Sequence, residues 1–201
     1  MMTILYPVNH GIYVNMTNRC PCACTFCLRQ KAEGVYGSDS LWLEREPSVD
    51  EIIRCLSETD LSQYQELVFC GYGEPTERLD DLLEVAKYVR SVSQIPIRIN
   101  TNGLSDLIWK KKTAHRLQNL IDTVSVSLNA TNAVDYLKTV RPKFGLVSFD
   151  AMLAFAKDCT KYVPNVMMSV VDVVTSPAEQ ELAREISERI GATLRIRPYE
   201  N

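Results

Sequence analysis

Short apolar runs alternate with longer stretches of helical apolar spacing along most of the chain, and the runs end in polar or glycine-rich turns. Residues 11–15, GIYVN, read as a strand that leads directly into NRCPCACTFC, and the next 20 residues, with Gly34, Gly37, Ser38 and Asp39, read as a long loop. A helix is predicted to start at Ser48, whose side chain can cap while Glu51 reaches back. Ile52, Ile53 and Leu56 form its apolar stripe, and it ends near Thr59. Leu67 to Cys70 predicts a buried strand that runs into GYGEP, and Asp80 to Val89 predicts a helix with Leu82, Leu83, Ala86 and Val89 on one side.

The alternation then repeats. IPIRINTNG is a strand ending in a polar turn, LSDLIWKKKTAHRL a helix candidate, and DTVSVSLNA another strand and turn. Phe149 to Val163 reads as a helix capped by Ser148. After the strand VMMSVVDVV comes a helix with Ser176 as cap, Pro177 at its first position, Glu179 closing the box and Gly191 beyond the last turn. ATLRIRP is the sixth strand. Six strands separated by helices predict a parallel sheet covered by helices. At 201 residues the chain is short of the ~250 typical of a full eight-unit barrel, which leaves a doubly wound sheet or an incomplete barrel. NRCPCACTFC, GYGEP, NTNG and SLNA all follow the carboxyl ends of successive strands, which favours an α/β fold of the partial (β/α)6 TIM-type barrel kind, with one core domain over residues 1–201.

Charge changes this picture little. Lysine and arginine total 22 against 25 acidic residues, so nothing global draws the chain to nucleic acid or to an anionic membrane. Lys110 to Lys112 read as a solvated helix face. No apolar stretch approaches the ~20 residues that span hydrocarbon, and the first residues lack a leader pattern, so a cytoplasmic protein without membrane contact is expected.

The cysteines change it a great deal. Cys20, Cys22, Cys24 and Cys27 crowd into one loop, while Cys55, Cys70 and Cys159 stand alone in apolar or helical surroundings and read as small buried hydrophobes. An odd total of seven suits a metal site in a reducing compartment better than a disulfide framework. Structural zinc wants two separated ligand pairs, and no second pair or suitably spaced histidine accompanies this one, since His10 and His115 are the only histidines. The run also fails to match the ferredoxin spacing. With Cys22 set aside, Cys20, Cys24 and Cys27 give C-x-x-x-C-x-x-C, with Phe26 just before the last cysteine.

That pattern resembles the radical S-adenosylmethionine (SAM) superfamily, whose signature has this spacing and an aromatic residue at this place. The resemblance implies a [4Fe-4S] cluster held by Cys20, Cys24 and Cys27, with one iron left open for SAM. It further implies reductive cleavage of SAM to methionine and a 5'-deoxyadenosyl radical, with Phe26 and apolar walls as shielding. Gly71, Tyr72, Gly73, Glu74 and Pro75 look like the family motif that clasps the amino group of SAM, the glycines allowing close backbone approach and the carboxylate pairing an ammonium. Ser125, Ser127 and Asn129 resemble residues that bond ribose and carboxylate, and Asn100 and Asn102 resemble a cavity-lining segment. Val170, Asp172, Arg197, Pro198 and Tyr199 match the region of adenine contacts.

A low-potential flavodoxin or ferredoxin is the implied electron donor, and the substrate, a small molecule or a protein, stays open. The chain looks most like compact members of the family, above all those associated with a TatD-type metal-dependent nuclease, on YVNMTNRCPCACTFC and GYGEPT. An activase that makes a glycyl radical on a partner protein, or an iron-sulfur electron carrier, is the alternative. Arg98, Arg195 and Arg197 could face an acidic substrate, although the alternation of the last two about Ile196 also fits a solvated edge strand.

Overall fold

The structure, a computed structural model, describes residues 2–35, 37–173 and 175–198. Tyr199 therefore lies outside the described residues. Seven strands form one sheet in simple sequential order: β1 (Leu5–Val8), β2 (Gly11–Val14), β3 (Glu66–Phe69), β4 (Ile97–Thr101), β5 (Thr123–Ser127), β6 (Asn165–Val171) and β7 (Thr193–Arg197). β1 and β2 are an antiparallel hairpin, and every later pairing is parallel. Because the order never reverses, right-handed crossovers all fall on the same face of the sheet, and there is no switch point of the doubly wound kind. The sheet is the expected partial barrel, with β1 as an added edge. The hairpin turns on Asn9, whose φ of 51° is a conformation that asparagine tolerates.

The helices are α1 (Val49–Ser57), α2 (Leu79–Val92), α3 (Ser105–Trp109), α4 (Ala133–Val140), α5 (Val147–Cys159) and α6 (Pro177–Ile190). Both predicted capping boxes form, Ser48 with Glu51 and Ser176 with Glu179, and Gly191 takes the left-handed C-cap of α6. One face of the strands packs on the helices: Val14, Phe69, Ile99, Val126, Met168 and Val170 share a core with Leu82, Ala86, Met152 and Phe155. Side chains of this size contribute about 1.5–3 kcal/mol each when fully buried. The alternate positions face the hollow of the barrel and are largely polar, so the sheet is apolar outward and polar inward.

Three local expectations give way to tertiary contacts. The helix predicted over 104–117 breaks at Lys110, whose φ is 53°, because Thr113 bonds Asp106 Oδ1 through both its N–H and its hydroxyl at 2.8 Å. The lysine run is thus a turn, and Lys112 pairs with Asp106 and Asp158. Ser148 is not a cap: α5 begins at Val147, continuing the turn at Gly145, and Ser148 is buried in its first turn. α4, capped by Asn132 accepting from the Asp135 N–H, lies in what reads from sequence as connection. No helix among the described residues is long and apolar enough to cross a membrane.

Candidate functional site

The strand-end turns meet at the carboxyl edge of the barrel. From β2 the chain enters the cysteine loop, which docks on the end of α4 and the turn after it. Ala23 N–H donates to Val140 O at 3.1 Å, Thr25 N–H to Thr139 O at 2.9 Å and Lys143 N–H to Pro21 O at 2.8 Å, while Cys22 bridges Pro142. Side chains fix it from its other end, since Arg29 donates to Cys22 O at 3.2 Å and Gln30 to Cys24 O at 3.0 Å. All of these contacts are made with the loop's backbone, and none of them uses a sulfur.

Those sulfurs are not equivalent. Cys22 is buried in the core, whereas Cys20, Cys24 and Cys27 are half-buried, as is Phe26. The Cys22 thiol is hydrogen-bonded to Cys20, which holds Cys20 below the ordinary thiol range and, with burial, drives Cys22 far above it. Burial pushes Cys24 up to about 12 and raises Cys27 as well. Buried thiols of this kind lose their protons to a bound cation, which inverts the local balance. Among the described residues no three histidine, cysteine, aspartate or glutamate side chains converge on a single-ion position. Cysteines that each hold a different iron of a cluster do not need to converge on one point.

Asn102 ties the loop to the next turn. Its amide points at Cys20 Sγ (3.9 Å) and Cys22 Sγ (3.7 Å), and its backbone N–H donates to Glu74 Oε2 at 2.7 Å. Glu74 Oε1 accepts from Thr76 N–H (3.1 Å), Thr76 Oγ1 (2.7 Å) and Thr101 Oγ1 (2.7 Å). Burial raises the carboxyl's pKa against the pull of these donors. Oε2 takes only one of these donors, and a carboxylate oxygen offers about two acceptor sites, so Oε2 keeps room for one more.

The glycines of GYGEP serve packing between loops. A Cβ on Gly71 would lie 2.1 Å from Asn15 Oδ1, and one on Gly73 would lie 2.2 Å from Thr17 O and 2.7 Å from Arg19 O. The close approach read from the sequence as one to a ligand is thus, for the side-chain positions, an approach to the chain entering the cysteine loop. Tyr72 turns away, its hydroxyl donating to Ala32 O and its ring set edge-on to Trp42, and so pins the loop after the cysteines.

The later strands contribute unevenly. Ser127 stands level with Ser169 on the hollow side. Asn129, at a φ of 54°, is buried with Oδ1 unpartnered. Val170 has its side chain in the core against the helices, so its backbone is the part that borders the hollow. Arg197 is on the hollow side and Pro198 is exposed just beyond it. Sequence reasoning missed Tyr136, a fully buried residue of α4 whose hydroxyl has no partner and whose surroundings include Cys20, Cys22, Cys24 and Glu74. The cap Asn132–Asp135 was the available signal for its helix.

Soft donors in a buried loop, together with the unpartnered Asn129 Oδ1 and Tyr136 hydroxyl, fit a bound cluster and a polar ligand, because buried polar groups rarely go unpaired. The model of the radical SAM superfamily matches residues 14–192. The chain belongs to that superfamily, which is one of enzymes. Solved structures agree on the radical SAM fold. A radical SAM methyltransferase from Sphaerobacter thermophilus is 17% identical, with a TM-score of 0.62 over 96% of this chain and 57% of its own. SuiB of Streptococcus suis bound to S-adenosylmethionine is 14% identical, TM-score 0.66, over 94% and 40%. The FeFe-hydrogenase maturase HydG from Carboxydothermus hydrogenoformans is 15% identical, TM-score 0.68, over 95% and 44%. The chain thus spans between about two fifths and three fifths of the length of these radical SAM structures.

Proposed function

We propose that the chain is a radical SAM enzyme that holds a [4Fe-4S] cluster on Cys20, Cys24 and Cys27 and SAM across the carboxyl edge of the barrel. The observation that carries this reading is the placement of the C-x-x-x-C-x-x-C loop beside Asn102 and the Glu74 turn, on the strand edge where such folds build sites. When bound, the reduced cluster supplies the electron that cleaves SAM to methionine and a 5'-deoxyadenosyl radical. Cys22 stays a packing residue, consistent with its burial. Asn102 donates its amide toward the cluster sulfurs, and hydrogen bonds of this kind tune a cluster's potential.

Glu74 Oε2 takes one donor of the SAM ammonium, assisted by the backbone of Gly71, Tyr72 and Gly73. Ser127 and Asn129 bond the ribose and the carboxylate, the backbones near Val170 and Pro198 border the adenine, and Phe26 excludes water. A flavodoxin or ferredoxin of low potential is the electron donor. Within the family we place the chain with the compact members associated with a TatD-type nuclease, on the two sequence stretches that suggest it.

Oxygen-free reconstitution, reduction with dithionite and assay of 5'-deoxyadenosine test the reading. Serine at Cys20, Cys24 or Cys27 is expected to abolish product and the cluster's paramagnetic signal, and serine at Cys22 to spare at least half of both. Equal loss at Cys22 would overturn the ligand set. A cluster whose signal ignores SAM would identify an electron carrier instead.

A further inference from the structure

Alternation along the strands aims three guanidinium groups into the hollow of the barrel. Arg98 projects from β4, and Arg195 and Arg197 from β7, where they stand level with Ser169 and Val171 of β6. Among the described strand residues one carboxylate shares the inward register, Glu66, and Arg98 consumes it in a forked pair, Nε to Oε2 at 2.9 Å and Nη2 to Oε1 at 2.5 Å. Arg98 also donates to Asn100 Oδ1 at 2.9 Å and to the Tyr13 hydroxyl at 3.2 Å. It is a satisfied, structural cation.

Arg197 is not satisfied. Its Nε is buried with no hydrogen-bond partner, and among the described residues no carboxylate pairs with it or with Arg195. Cys70, Arg195, Arg98 and Tyr13 lie within electrostatic range of it. Burial pushes its pKa down, Arg195 and Arg98 add to that, and Cys70 and Tyr13 oppose it. The inward set therefore carries one partly buried guanidinium with an unpartnered N–H, Arg197, and beside it the solvent-exposed Arg195, in a protein whose formal net charge is -3. A buried guanidinium N–H without a partner is costly, and the fork of an arginine matches an oxyanion.

We infer that the hollow of the barrel binds the carboxylate or phosphate group of a small-molecule substrate through Arg197, with Arg195 assisting. Calling that molecule a substrate rests on the radical SAM reading, whereas the anion site stands on the arginines alone.

The test is calorimetric titration of the reconstituted full chain with inorganic phosphate and with malonate, each with and without saturating SAM. One of the two anions is expected to bind with a dissociation constant of millimolar or below, changed less than twofold by SAM, and the tighter one tells phosphate from carboxylate. Arg197→Gln is expected to weaken it at least tenfold, Arg195→Gln severalfold, and the exposed Arg184→Gln not at all. Arg197→Lys, which keeps the charge and loses the fork, serves where Arg197→Gln fails to fold and is expected to weaken binding severalfold. Binding of neither anion, or binding indifferent to Arg197, overturns the inference. So does displacement by SAM together with an equal loss of SAM affinity in Arg197→Gln, which would give the arginine to the cofactor's own carboxylate. The paramagnetic response to SAM, read on the same samples, separates the two ideas: its absence with anion binding intact sinks only the radical SAM reading.

Discussion

Glu74 shows how far a single residue's role shifts between sequence and structure. In the sequence it is a carboxylate after a glycine turn, a natural partner for an ammonium. In the fold it is first the keystone of that turn, accepting from Thr76 twice, from Thr101 and from Asn102. Glu74→Gln keeps one oxygen but turns an NH2 toward the Asn102 N–H, setting donor against donor. It is expected to cost about 1–3 kcal/mol in urea unfolding of the cluster-free protein, so SAM affinities of this variant have to be compared at equal folded fraction. Gly73 is a sharper case. Adding a methyl group drives it into the Thr17 and Arg19 carbonyls, which are backbone and lie just before Cys20. Gly73→Ala is expected to lower iron incorporation at least fivefold, measured by iron content after reconstitution, while α6 and the rest of the sheet stay folded by circular dichroism. Full incorporation would mean that the loop yields. No sequence pattern could have told that the glycines face a neighbouring loop, because the two segments are distant in the chain and are brought together by the β2–β3 pairing and by the Glu74 N–H bond to Arg19 O.

At the scale of elements, what was legible was what is decided locally. The boxes at Ser48 and Ser176, Pro177 and Gly191 need only a few adjacent residues to form, and all appear as read. What was not legible was decided by distant partners. β1 is held because the Tyr6 and Tyr13 rings pack against each other across the hairpin at a tilt of 45° and the Tyr6 hydroxyl reaches Cys70 O, and α3 stops because Thr113 turns back to Asp106. The box of α1 also carries a pH signature. Arg45, at 2.5 Å, and then the Ser48 N–H hold the Glu51 carboxyl down at about 2, below its unfolded range near 4.3. A depressed carboxyl contributes stability that is present above about pH 4.3 and is lost as the pH falls toward 2. The gap in urea midpoint between the wild-type chain and Glu51→Gln is therefore expected to shrink as the pH is lowered from 6 to 3. A constant gap would show that the helix owes the glutamate only its shape.

For the molecule as a whole, the sequential strand order produces a sheet that is apolar toward its helices and polar toward its hollow, with unpartnered polar atoms left at Asn129 and Arg197. A hollow lined in this way is stabilised by whatever fills it, since a ligand that binds only the folded chain adds RT ln(1 + [L]/Kd), about 2.7 kcal/mol at a hundredfold excess over Kd. In a protein of this size each kcal/mol moves the melting temperature by about 2–4 °C. SAM at that excess is therefore expected to raise the melting temperature of the cluster-loaded protein by about 5–10 °C in anaerobic calorimetry. The same concentration of SAM has much less to hold in the cluster-free chain, where its amino-acid end finds Glu74 but no iron, and the rise there is expected to stay below about 2 °C. An equal rise in both forms would place the binding energy in the polar lining alone and remove the cysteine loop from SAM recognition.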